Sequence, residues 1–196
     1  MFCNQCEQTA RGVACTTVGV CGKKEDVAAL QDLLVNACRG LSVAAIDAGT
    51  RGLDTAEAGR FVADSLFTTL TNVDFDAASI AEKVDEAVRL REELICETCA
   101  SDITGAFVDL TPATGVDAMV AQGIELGSPW DTTRDEDVRA LQQTTLYGLK
   151  GVAAYAHHAR TLGQEDPAVY AYLFKALAAL GDTSLDLNAW VALTLE

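Results

Sequence analysis

Two stretches of this chain, DVAALQDLLVNACRGLSVAAIDAGTRG (residues 26–52) and DVRALQQTTLYGLKGVAAYAHHARTLG (residues 137–163), align when the sequence is slid by 111 positions. Val27 meets Val138, Ala29 meets Ala140, and Leu30-Gln31 meets Leu141-Gln142. Gly40 meets Gly151, each preceded by a basic residue, Arg39 or Lys150. In the first copy Val27, Leu30, Leu34, Cys38, Leu41, Ala45 and Ala48 recur at spacings of three and four, which is one apolar stripe on a long helix. Val138, Leu141, Leu149, Val152 and Ala159 mark a second long helix in the other copy. The repeated unit is therefore helical. Its period is too long for a solenoid repeat, so the pattern reads as duplication of a three-helix unit. Glycine inside a helix costs about 1 kcal/mol relative to alanine. The matched pair Gly40 and Gly151 therefore predicts a close helix crossing.

Outward from these stretches, Asp54 with Glu57 reads as a capping pair for a second helix carrying Phe61, Val62, Leu66 and Leu70. A third helix is expected over 77–99, with Ile80, Val84, Ala87, Leu90 and Leu94 on one face. Glycines and prolines punctuate 101–134, which reads as a connector with one short helix at 116–125. Thr133 with Glu136 reads as a capping box before the second long helix. Asp166-Pro167 is a cap followed by proline at the first helical position, and Ser184 or Asp186 opens a last helix.

No run alternates with period two, so the expected fold class is all-α. Two duplicated three-helix bundles, the second truncated, follow an N-terminal Cys-rich loop. The divisions are 1–24 for the loop, 25–100 for the first bundle, 101–134 for the connector and 135–196 for the second bundle. The stripe Leu187, Val191, Leu195 is still running at Glu196, with no glycine, proline or basic last turn before it. The chain is therefore expected to be a piece, or a truncated form, of something longer.

The 196 residues are 49% hydrophobic and 22% charged, a globular composition, with a formal net charge of −15. That charge disfavours nucleic acid and anionic membranes as partners and favours a basic electron-transfer protein. No signal segment is visible, and no run approaches the ~20 apolar residues of a membrane span. The expected compartment is the cytoplasm, where thiols stay reduced and clustered cysteines point to metal.

Four of the seven cysteines fall in the first twenty-one residues, as Cys3-x2-Cys6-x8-Cys15-x5-Cys21. Four thiolates suit a tetrahedral zinc ion or an iron–sulfur cluster, with redox disulfides a third reading. A structural zinc site typically has two close-set pairs, and only one is present here. The two spread thiols and Gly12, Gly19 and Gly22 favour a loop wrapped around a larger cluster, but both metals remain open. Metal–thiolate bonds would supply folding free energy that so polar a segment lacks. Cys96-x2-Cys99 sits at a helix end without the βαβ setting of a thioredoxin-type pair, and Cys38 lies on the apolar stripe as a core residue. His157 and His158, the only histidines, are adjacent on a helix and expected on its solvated surface.

The segments MFCNQCEQTA (1–10), GVACTTVGVCGK (12–23), VAALQDLLV (27–35), TLTNVDFD (69–76), LQQTTLYGLKGVAAYAHHA (141–159) and LNAWVALTLE (187–196) resemble the hybrid-cluster proteins, also called hydroxylamine reductases or prismane proteins. The resemblance covers essentially the whole chain. It implies that Cys3, Cys6, Cys15 and Cys21 ligate a cubane-type [4Fe–4S] cluster, the short spacing distinguishing it from family members with a [2Fe–2S] centre. It also implies two three-helix bundles, in agreement with the duplication. Members reduce hydroxylamine to ammonia and water, with nitric oxide proposed as a physiological substrate. That chemistry belongs to a hybrid Fe–S–O cluster held by His, Glu and Cys residues of later α/β domains, for which no positions match here. The implied role is an electron-entry module fed by a donor protein and inactive alone. The non-enzymatic alternative is a zinc-stapled helical docking module.

Overall fold

A computed structural model describes residues 3, 6, 9–100 and 102–196. Its helices are α1 (Glu25–Thr50), α2 (Ala56–Thr68), α3 (Ala77–Thr98), α4 (Val116–Leu126), α5 (Glu136–Thr161), α6 (Pro167–Ala179) and α7 (Leu187–Leu195). Among the described residues there is no strand, only an isolated bridge in the N-terminal loop. The fold is all-α.

The duplication is visible in the helix ends. Helices α5 and α6 begin and end 111 positions after α1 and α2, at all four boundaries. The second helix of each unit packs mainly on the first helix of the other: α2 lies on α5, α6 lies on α1, and α2 meets α6 between them. The two units thus interleave and contribute to one hydrophobic core.

Helix α1 runs through the middle of that core. Its predicted stripe is buried, and so are Leu33, Val35, Ala37 and Ala44 on its other sides. By length and composition alone α1 could cross a membrane, contrary to the sequence expectation that no segment approaches this. Its apolar surface is instead covered by α3, α6, α4 and α2, as in the central helix of a folded core.

Several local expectations need correction. Helix α5 is capped by the Asp135 carboxylate, which accepts from the Asp137 N–H, whereas Thr133 turns back onto Asp131. Asp54 accepts from the Ala56 N–H at 2.9 Å, but the N-cap position of α2 is Thr55. Gly40 makes a close approach to a loop, not to a helix. A Cβ there would stand 2.2 Å from the Phe107 carbonyl oxygen. Gly151 meets nothing within 4 Å. The matched glycines therefore have no common packing role.

The connector closes over α1 and α3. Arg91 donates to the carbonyls of Phe107 and Leu110 at 3.1 and 2.9 Å. Arg39 donates to Asn36 and to the Pro129 carbonyl, with its guanidinium 4.7 Å from the Phe107 ring centroid. His157 is half-buried, its Nδ1 2.8 Å from Asp64 of α2, and Arg160 binds the same carboxylate. Only His158 is exposed, its ring edge against Phe67. His157 thus belongs to the α2–α5 contact and not, as expected, to the solvated surface.

Candidate metal centre

The N-terminal loop doubles back on itself. Cys3 and Cys15 pair as an antiparallel bridge, the Cys15 N–H donating to Cys3 at 2.8 Å and the Cys3 N–H to Cys15 at 3.3 Å. A 3-10 turn at Ala10–Gly12 makes the reversal, with Arg11 and Gly12 in the left-handed region at φ 58° and 66°. Before it, the Thr9 hydroxyl and N–H both donate to the Cys6 carbonyl. After it, Gly19 and Gly22 form the turn that carries Cys21. A Cβ on Gly19 would crowd the Cys21 sulfur at 3.1 Å, which is why this turn takes glycine. Residues 4, 5, 7 and 8 lie outside the described residues.

Cys15 is buried, and Cys3, Cys6 and Cys21 are half-buried. All seven cysteines are free thiols. The Cys15 sulfur accepts from the Ala10 N–H at 3.4 Å. That bond, a second from the Val20 N–H and the nearby Lys23 ammonium hold the thiol below its ordinary value, against burial. Among the described residues no three or more His, Cys, Asp and Glu side chains gather closely enough to hold one ion. Cys96 and Cys99 are exposed at the end of α3, and Cys38 is core.

Beneath the loop lies a set of buried charges. Lys23 is 1% exposed, and its Nζ donates to Gln31 Oε1 at 2.6 Å. The Gln31 amide passes the contact on to the Asp74 carbonyl, in the turn between α2 and α3. Lys150 reaches in from α5, 4% exposed, its ammonium 6.0 Å from the Tyr147 ring centroid. Burial pushes the Asp32 carboxyl up and the Lys150 ammonium down, and each charge partly offsets the shift of the other. Cys3 and Lys23 lie within the same field. These four side chains went unrecognised as site residues, although the duplication marks three of them. Lys23, Gln31 and Lys150 correspond to Arg134, Gln142 and Arg39 at the 111-residue offset, all buried or bonded to backbone. Arg134 ties the connector to the Leu185 carbonyl, the counterpart of Asp74. The connector therefore holds, against the second unit, the place that the cysteine loop holds against the first.

The whole sequence, residues 1–196, matches the Prismane/CO dehydrogenase family. The chain belongs to that family. Similar members include hydroxylamine reductases of Methanocella arvoryzae (48% identical over 201 residues), Solidesulfovibrio magneticus (47% over 197) and Syntrophobacter fumaroxidans (42% over 200). Each alignment covers 100% of this chain and 36–37% of the relative. The chain thus spans just over a third of the length of these family members.

Proposed function

We propose that Cys3, Cys6, Cys15 and Cys21 hold a [4Fe–4S] cluster, and that the chain is the electron-entry module of a hydroxylamine reductase. The observation that carries this is the loop itself. In a member of this family, backbone pairing brings Cys3 to Cys15 while peptide N–H groups point at sulfur. A single zinc would draw four thiolates to within ~4 Å of one another, since each Zn–S bond is ~2.3 Å. A structural zinc site typically draws them from two close-set pairs, and the sequence has one, Cys3 and Cys6. A multi-iron cluster is larger and suits thiols spread along a wrapping loop. Free thiols are the donor set that such a cluster takes, and N–H groups donating to sulfur help to set its potential.

When bound, the cluster accepts and returns one electron at a time. The residues of this chain supply the rest. Four thiolates grip it, and the N–H groups of Ala10 and Val20 stabilise negative charge on Cys15. Lys23 and Gln31 fix the loop to α1 and to the α2–α3 turn. The electron donor is a protein with a basic face, drawn by the net charge of −15. The acceptor is a hybrid Fe–S–O cluster in α/β domains of the same enzyme, beyond these residues. Such a cluster would supply two electrons which, with two protons, would cleave the N–O bond of hydroxylamine to give ammonia and water, with nitric oxide a further substrate. The compartment is the reducing cytoplasm, and neither nucleic acid nor membrane takes part.

Anaerobic purification followed by iron, zinc and sulfide analysis tests the reading. The expected result is iron and acid-labile sulfide, about four of each per chain. Substituting any of the four cysteines by serine lowers both, whereas Cys96→Ser and Cys99→Ser leave them unchanged. Stoichiometric zinc without sulfide would establish the docking-module alternative, and hydroxylamine turnover by this chain alone would contradict the division of labour.

A further inference from the structure

We infer that the cavity between the connector and the second unit binds a small zwitterion, an α-amino acid such as alanine, with its carboxylate on Arg39 and its ammonium on Gln142. The cavity holds about 220 Å³ among the connector, α5 and the turn after α6. A water takes about 30 Å³ of liquid, so this is the space of about seven waters, enough for a small amino acid. The inference is independent of whatever the cysteine loop holds.

Two side chains lining the cavity are more than nine-tenths buried and carry polar atoms without a partner: Arg39, 5% exposed, and Gln142, 1% exposed. Arg39 commits Nη1 to Asn36 and to the Pro129 carbonyl, at 2.9 and 2.8 Å. Its Nε has no partner. Its Nη2 stands over Gly181, where a Cβ would come within 3.0 Å. The Nε–Nη2 edge is the side of a guanidinium that receives a carboxylate through two parallel bonds. Gln142 Oε1 also lacks a partner. The first unit shows what that position takes: there Gln31 Oε1 accepts from the Lys23 ammonium at 2.6 Å. Arg134, the counterpart of Lys23, bonds instead to the Thr183 and Leu185 carbonyls at 2.8 and 2.7 Å. Gln142 is thereby left open to an ammonium from outside the chain. The charges around the cavity fit a molecule of both signs. Arg39 and Arg134 line it together with Asp131 and Asp182, each of which accepts through Oδ1 alone, from Thr133 and Ser184. A simple anion would meet both carboxylates and a simple cation both guanidinium groups, whereas a zwitterion can answer each in turn. Trp130 and Leu180 supply an apolar wall for a short side chain.

The test is isothermal titration calorimetry of the whole chain with alanine, and with acetate and ethylamine, each of which carries one of alanine's two charged groups. Alanine is expected to bind saturably, one per chain, about tenfold or more tighter than acetate or ethylamine. Gln142→Met removes the unpartnered oxygen at similar volume. It is expected to weaken alanine about tenfold or more while leaving the unfolding midpoint unchanged or raised, because the oxygen it removes is buried and unpaired in the free chain. Arg39→Lys keeps the charge but loses the two-bond edge, and is expected to weaken alanine more than ethylamine. Arg89→Gln, on the exposed face of α3, leaves the affinity unmoved. No saturable heat with alanine means that the cavity holds water only and overturns the inference. Acetate binding as tightly as alanine overturns it too, as does a folded Gln142→Met chain with the parent's affinity. Should Gln142→Met fail to fold, Arg39→Lys decides: the parent's affinity for alanine in that variant overturns the inference as well.

Discussion

At the scale of single residues, two glycines with matching sequence positions have opposite consequences. Gly40 lies under the Phe107 carbonyl, so Gly40→Ala must move backbone that Arg91 holds in place. A loss of about 1–3 kcal/mol is expected. Gly151 is open on its side of α5, and Gly151→Ala is expected to stabilise the chain by up to about 1 kcal/mol through helix propensity alone. Urea denaturation of the two variants checks both signs. Cys38 shows a second contrast. Burial pushes its thiol up to about 12, so it stays protonated and unreactive in the folded chain. Between pH 9.0 and about 12 the unfolded chain releases this proton while the folded chain keeps it, so its contribution to stability falls as pH rises through that interval. In a limited alkylation at pH 8, mass spectrometry of the fragments should find Cys96 and Cys99 labelled first and Cys38 only after denaturation. The four cysteines proposed as ligands were singled out in the sequence because their spacing is unusual. Lys150 was not, because a lone lysine on a helix gives no sign of its burial until the partner helix is known.

At the scale of elements, periodicity located the helices and local chemistry fixed most ends. Asp166-Pro167 starts α6, and Asp186 caps α7 by accepting from the Ala189 N–H at 2.9 Å. Where the reading slipped, the cause was competition between nearby side chains. Thr133 has the right offset from Glu136, but Asp131 engages its hydroxyl and N–H, leaving Asp135 to cap α5. Helix α3 starts with Asp76, whose carboxylate accepts from the Ala78 and Ser79 N–H groups. Its neighbour Asp74 accepts from Ser79 and, through its carbonyl, anchors Gln31 beneath the cysteine loop. Asp76→Ala is expected to cost about 1 kcal/mol. Because the same turn supports Gln31, it should also speed cluster loss to an iron chelator. Unfolding midpoints and the rate of bleaching measure the two effects separately.

At the scale of the whole molecule, the duplication was legible and the interleaving was not. An internal repeat shows that two units exist. Which helix packs on which depends on contacts between residues far apart in the sequence, such as Asp64 with His157 and Arg160, 93 and 96 positions away. Cross-packing of α2 on α5 and α6 on α1 around one core predicts a single cooperative unfolding transition for the helical part. Calorimetry showing two well-separated transitions would mean that the units fold independently. The account depends most on the cofactor that the cysteine loop holds, and native mass spectrometry of the anaerobically purified chain tests it most directly. The predicted spectrum shows the chain with four irons and four sulfides added, an addition lost when Cys15 is replaced by serine. A spectrum of the bare chain, or of the chain with one zinc, would contradict it.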